Sequence, residues 1–157
     1  MSRVLVTFGS KHGATAEIAD VVAETLCGCG LDVDCVDAGE VDSLDGYDAV
    51  ILGSAVYMRR WRREARQFVH HFSAELARRP FWVFSSGPVG DPEKDNPAWL
   101  EPGRTIRELE RLGVREHVVF GGRSTSSGIP AQFRDRRDWD EIRSWAREIA
   151  ESIPVIA

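Results

Sequence analysis

The residues best suited to chemistry lie between Phe8 and Ala19, FGSKHGATAEIA. Here Gly9-Ser10-Lys11-His12-Gly13-Ala14-Thr15 joins a short apolar run to a helical pattern. Small residues let successive backbone N–H groups point inward as a nest for an anion. The positive end of the helix that follows adds to the attraction. Ser10 and Thr15 bring hydroxyl donors suited to phosphate oxygens, and His12 is a further source of positive charge. No GK[ST] follows the loop and it is not GxGxxG, which disfavours nucleoside triphosphates and NAD.

Other chemistries find less support. A serine nucleophile of the hydrolase type needs the elbow GxSxG, which is absent. A phosphoacceptor site needs acids after the first strand and an Asp at the end of the third, where this chain has Gly9-Ser10 and Gly53-Ser54. His70 and His71 point about 100° apart on a helix and do not share a metal. Cys27, Cys29 and Cys35 lack the spacing of a zinc site or a disulfide framework.

The net charge is −5, unevenly placed. Residues 59–66, RRWRREAR, hold five arginines and one glutamate, a local +4 that leaves −9 on the remainder. The acidic body disfavours nonspecific nucleic-acid binding. The cluster itself has two readings. One is recognition of carboxylate or phosphate groups on a substrate or partner, with Arg59, Arg60, Trp61 and Arg63 in contact. The other is a solvated face paired with nearby acids.

Alternating strands and helices position these residues. Val4–Phe8, Leu31–Val36, Ala49–Leu52, Phe81–Phe84 and His117–Phe120 read as strands. Ala14–Cys27, Arg62–Arg79, Thr105–Leu112 and a segment from Asp138 to about Ser152 read as helices. Asp138 with Glu141 forms a capping box for the last. Arg123–Arg137 reads as a long loop. The 157 residues fit one α/β domain, 1–157, with right-handed parallel crossovers. A doubly wound five-stranded parallel sheet of order 2-1-3-4-5 is expected, with its ligand at the carboxyl ends of the strands. Four strands end in Gly9-Ser10, Gly53-Ser54, Ser85-Ser86-Gly87 and Gly121-Gly122, a shared ligand rim. No run approaches a membrane span, and MSRVLVTFGS does not read as a signal peptide. A cytoplasmic protein is expected.

Phe8, Ser10, Gly13, Thr15 and Ala19 fit the pattern aromatic-x-[ST]-x-x-[AGC]-x-T-x-x-x-A, and here the chain resembles the flavodoxins. Thr7 departs from their usual apolar residue. The resemblance implies a three-layer flavodoxin-like fold and noncovalent FMN, its phosphate on Ser10, Lys11, His12, Gly13, Ala14 and Thr15. It also implies that the loops after the third and fourth strands flank the flavin ring. These carry Ser54, Ala55, Val56 and Tyr57 on one side and Ser86, Gly87, Pro88 and Gly90 on the other. Tyr57, Trp61 and Trp99 are candidates to stack on or border the ring.

Many electron-shuttling flavodoxins have a glycine in the first of these loops, whose peptide flips to accept a hydrogen bond from the reduced ring. No glycine lies between Ser54 and Arg60. A flip at any other residue costs about 1 kcal/mol or more, which favours two-electron chemistry. KHGATAEIA, the Gly53–Tyr57 stretch and DWDEIRSWAREIAESI also resemble the menaquinone-dependent protoporphyrinogen dehydrogenases. Those carry a long insertion after the fifth strand, where this chain has only Arg123–Arg137. Three functions stay open at this point: an FMN oxidoreductase acting on a small molecule such as a quinone or porphyrinogen, an electron carrier for a protein partner, and a flavin-free binding module.

Overall fold

The structure is a computed structural model that describes residues 2–9, 13–57, 60–87, 103–123 and 128–153. Strand β1 (Arg3–Gly9) leads to α1 (Ala14–Gly28), β2 (Asp32–Asp37) and a 3-10 turn (Ala38–Glu40). Strand β3 (Ala49–Tyr57) is followed by β4 (Arg60–Trp61), α2 (Arg63–His71) and α3 (Ser73–Leu76). Then come β5 (Phe81–Ser86), α4 (Gly103–Arg111), β6 (His117–Phe120), a 3-10 turn (Ala131–Phe133) and α5 (Trp139–Ser152). Five strands pair in parallel in the order β2-β1-β3-β5-β6, the expected 2-1-3-4-5 arrangement. The sixth, β4, folds back antiparallel on the end of β3.

Both faces of this sheet are covered. Val4, Val6, Ile51, Phe84 and Phe120 point toward α1 and α5, where Ile18, Val22, Leu26, Ile142, Trp145 and Ile149 meet them. Leu5, Val50, Leu52 and Val83 point the other way, toward Ala65, Phe68, Phe72, Leu76 and Leu109. The central strands are therefore apolar on both sides, as parallel strands between two helical layers must be. Gly53 is the exception, and Phe84 explains it. An added Cβ at Gly53 would lie 2.0 Å from the Phe84 ring, its register partner on β5.

Helix α1 stops because Gly30 turns left-handed (φ 92°) while the Cys29 and Gly30 amides bond back to Leu26 and Cys27. At the start of α5, Asp138 accepts from the Glu141 amide at 3.1 Å, the cap expected there. The single helix expected over Arg62–Arg79 is two, parted at Phe72. Phe68, Phe72 and Leu76 still enter one core, so the apolar stripe runs through the break and conceals it. No helix among the described residues is long and apolar enough to cross a membrane.

Candidate functional site

Strand β1 delivers the chain to the carboxyl edge of the sheet, where Gly9 pairs with Ser54. Gly9 has little room: an added Cβ would lie 3.1 Å from the Ala65 and Arg62 side chains at the start of α2. Ser10, Lys11 and His12 lie outside the described residues. The chain re-enters at Gly13, whose φ of 81° is left-handed, and α1 begins at Ala14. Among the described residues no side chain caps this helix. The amides of Ala14, Thr15 and Ala16 have no acceptor within the helix. Beside them Thr15 is 1% exposed and its hydroxyl has no hydrogen-bond partner. A buried hydroxyl of this kind costs about 1–3 kcal/mol unless something fills its need. The helix start thus offers amide donors, a hydroxyl donor and the positive end of a dipole to one anion. This is the chemistry a phosphate monoester requires.

The third strand runs further than Leu52. Residues Ser54–Tyr57, expected as a loop, belong to β3, and Val56 and Tyr57 pair with Trp61 and Arg60 of β4 in a hairpin. Two expected site residues change role as a result. Ser54 is fully buried and paired on both sides, with Gly9 and Ser85. Its hydroxyl accepts from the Arg62 amide at 2.8 Å and lies 2.9 Å from the Ala55 carbonyl. It ties the hairpin to α2 and has no hydroxyl to spare for a ligand. Trp61, expected at the ring or partner surface, is 1% exposed in the core over Val83 and Phe68. Its indole N–H donates to Ser85 Oγ at 2.8 Å, and Ser85 Oγ lies 2.8 Å from His117 Nε2. Burial with a satisfied N–H makes Trp61 a structural anchor for the hairpin.

Ala55 and Val56 are half-buried at the end of β3, opposite Ser86 and Gly87 at the end of β5. Gly87 has φ 132°, and a Cβ there would stand 3.8 Å from the Val56 carbonyl oxygen, so the two rims approach each other. Arg60 and Arg63 are exposed beside the hairpin. Arg59, Pro88, Gly90 and Trp99 lie outside the described residues.

Sequence reasoning missed a clasp beside the anion site. Arg137, at the end of the stretch expected as a long loop, has a side chain only 4% exposed. It bonds both oxygens of Asp135 at 2.9 and 2.7 Å and reaches Glu17 in the first turn of α1 at 2.9 Å. Its guanidinium also lies 4.7 Å from the Trp139 ring centre. Arg123 joins Glu17 at 3.1 Å and bridges Asp135 through the backbone. These bonds hold the Glu17 and Asp135 carboxyls below the ordinary carboxylate range, chiefly through Arg137. The base of the loop after β6 is thereby fixed to the first turn of α1. The only sequence signal was Asp135-x-Arg137 ahead of a tryptophan.

Comparison with known proteins agrees with this geometry. A family model described as a flavodoxin domain matches residues 5–129. A flavodoxin of Maridesulfovibrio salexigens is 28% identical over 98% of this chain and 100% of its own. Protoporphyrinogen IX dehydrogenase [quinone] of Escherichia coli K12 is 22% identical over 94% of both chains. The crystal structure of oxidised flavodoxin 2 from Bacillus cereus superposes with a TM-score of 0.69 over 97% of this chain and 100% of that one, at 22% identity, and shows the same fold. The family match runs from β1 through the open start of α1 to the last strand of the sheet; the chain belongs to the flavodoxin family and is an FMN-binding redox protein.

Proposed function

We propose that the protein is an FMN oxidoreductase that works in two-electron steps on a small molecule such as a quinone or porphyrinogen. FMN supplies the electron chemistry at its ring. The chain's own residues hold and orient it: Gly13, Ala14 and Thr15 at the phosphate, Ala55, Val56 and Tyr57 on one side of the ring, Ser86 and Gly87 on the other. Ser54 and Trp61 act behind them by fixing the hairpin.

The hairpin carries the two-electron reading. The backbone beside the ring lacks a glycine, and its base is tied down by the Val56–Trp61 and Tyr57–Arg60 pairs and by the Ser54–Arg62 bond. Rearranging that peptide on reduction would break paired hydrogen bonds or force a non-glycine residue into a strained conformation, at about 1–3 kcal/mol. Reductive titration followed by visible absorbance tests this. One phase from oxidised to fully reduced spectra is expected. A one-electron spectrum that accumulates over a wide potential range would defeat it.

A second reading, an electron carrier for a protein partner, is favoured by two observations. The full-length similarity to a flavodoxin is one. The other is the short, clasped connection between Arg123 and Arg137 in place of a long insertion.

A further inference from the structure

A groove of about 720 Å³ lies between the 3-10 turn after β2 and helix α2, apart from the anion site. Ala38, Val41, Phe68 and Phe72 give it an apolar floor. Arg63, Arg66, His70 and His71 line one wall. Their spacing of three, four and one residues puts them along one side of α2, about 12 Å from end to end.

The charge on the arginines of this wall is not balanced within the groove. Cations in a first turn oppose the helix dipole. Arg63 is exposed and has no ion pair with any described residue. Arg66 is held by its Nε–H bond to the Trp61 carbonyl at 3.1 Å, which leaves its charge uncompensated. Glu64, the acid that lines the groove, faces Arg62 at 3.8 Å. Asp37 on the opposite rim accepts from the Gly39 amide. Neither Glu40 nor Asp42 comes within 4.0 Å of Arg63 or Arg66 to pair with them.

We infer that this groove docks an acidic, extended segment of a protein redox partner. The inference rests on the FMN redox reading and names a partner for it. The apolar floor asks for more than a simple anion: a lone phosphate at the arginines would leave Ala38, Val41, Phe68 and Phe72 uncovered. A flat membrane surface does not reach a concave apolar floor. A strand of about four residues spans the wall at about 3.3 Å per residue, with alternate side chains facing the arginines and the floor.

Long-range charge points the same way. Arg63 and Arg66 outnumber Glu64, the one acid that lines the groove, on a chain of net charge −5, so an acidic partner is favoured here over the rest of the surface. The edge is also the productive one. Helix α2 follows directly from the β3–β4 hairpin and packs over Gly9 at the end of β1, so its arginines begin beside the FMN site.

The test uses the FMN-loaded, ¹⁵N-labelled protein and a fluorescein-labelled octapeptide alternating Glu and Val. Saturable amide shifts confined to residues 38–41 and 63–72 are expected. Affinity should fall at least tenfold in Arg63→Glu/Gln67→Glu and about threefold in Arg63→Gln, and should fall with added salt. Arg63→Glu in the first turn of α2 suits the helix dipole and Gln67 is an exposed residue of the second turn, so the double variant keeps its fold. The inference is overturned if millimolar peptide shifts nothing, if the shifts lie elsewhere, or if the variants bind as well. It is equally overturned if a Lys–Val octapeptide binds as tightly, or if inorganic phosphate or phosphatidylglycerol vesicles displace the peptide at matched charge concentration. Visible absorbance of the same samples reports the flavin separately. A protein that takes up no FMN sinks the redox reading, whereas the amide shifts decide the groove.

Discussion

Replacing Thr15 by valine should move two properties in opposite directions. Its side chain is 1% exposed and its hydroxyl has no partner. In the FMN-free protein that hydroxyl is a cost, about 1–3 kcal/mol for a buried group left unsatisfied. Valine keeps the branched shape, has nearly the same helix propensity and removes the polar atom. The FMN-free Thr15→Val variant should therefore be more stable by about 1 kcal/mol or more, a rise in Tm of roughly 2–4 °C for a chain of this size. In the loaded protein, on the proposed assignment, the same hydroxyl would donate to the phosphate. A hydrogen bond to a charged group contributes about 1.5–3 kcal/mol, so the Kd for FMN should rise about 10- to 150-fold. Thermal unfolding of the FMN-free forms and flavin fluorescence titration measure the two effects. A variant that is less stable without FMN shows that the hydroxyl is satisfied inside the protein. A Kd within twofold of the parent shows that it never meets the phosphate. Either result refutes the reasoning.

Gly53→Ala should cost about 1–3 kcal/mol in urea denaturation, because its Cβ would stand 2.0 Å from the Phe84 ring; Phe84→Leu in the same chain should recover part of that loss. The clasp should be pH-dependent. Glu17 and Asp135 have lowered pKa values, so they contribute stability above the unfolded carboxylate pKa near 4 and lose it as pH falls through their folded values. Arg137→Met should cost about 1–3 kcal/mol at pH 7, between the values for exposed and buried pairs, and urea midpoints of parent and variant should converge toward pH 3. A gap that does not narrow as pH falls below 4 would show that the carboxylates are not what Arg137 acts through. Cys35 is half-buried against Asp20, and burial pushes its thiol up to about 12, whereas Cys27 and Cys29 are exposed. A thiol reagent at pH 8 should therefore find two fast groups and one slow one; three equal rates would contradict the placement of β2.

The strands and the start of α1 were legible because their signals are local. The run Val4–Val6 is buried on both faces, and Ile18, Val22 and Leu26 recur at helical spacing behind it. Gly13 and Thr15 announced a tight helix start in their residue types alone. What stayed hidden depends on contacts far along the chain. Trp61 looked like a rim aromatic amid arginines, and only Ser85, 24 residues on, shows that its N–H is satisfied inside. Arg137 read only as the end of a long loop, and its partner Glu17 lies 120 positions away in the chain. The hairpin had a fainter local trace: Val56 and Trp61 are good cross-strand partners, but the arginines between them hid the turn. Of the residues expected to form a ligand rim, Ser54 and Ser85 are taken up by the scaffold and Gly53 by packing against Phe84.

Titration of the flavin-free protein with FMN and with riboflavin, which lacks the phosphate, bears most directly on the anion site at the start of α1. Two or more charged hydrogen bonds at about 1.5–3 kcal/mol each predict that FMN binds roughly 10²- to 10⁴-fold more tightly. Inorganic phosphate should compete with FMN but favour riboflavin by filling the same cradle. Equal affinities for FMN and riboflavin, with no effect of phosphate, would contradict the assignment of Gly13, Ala14 and Thr15 to the phosphate.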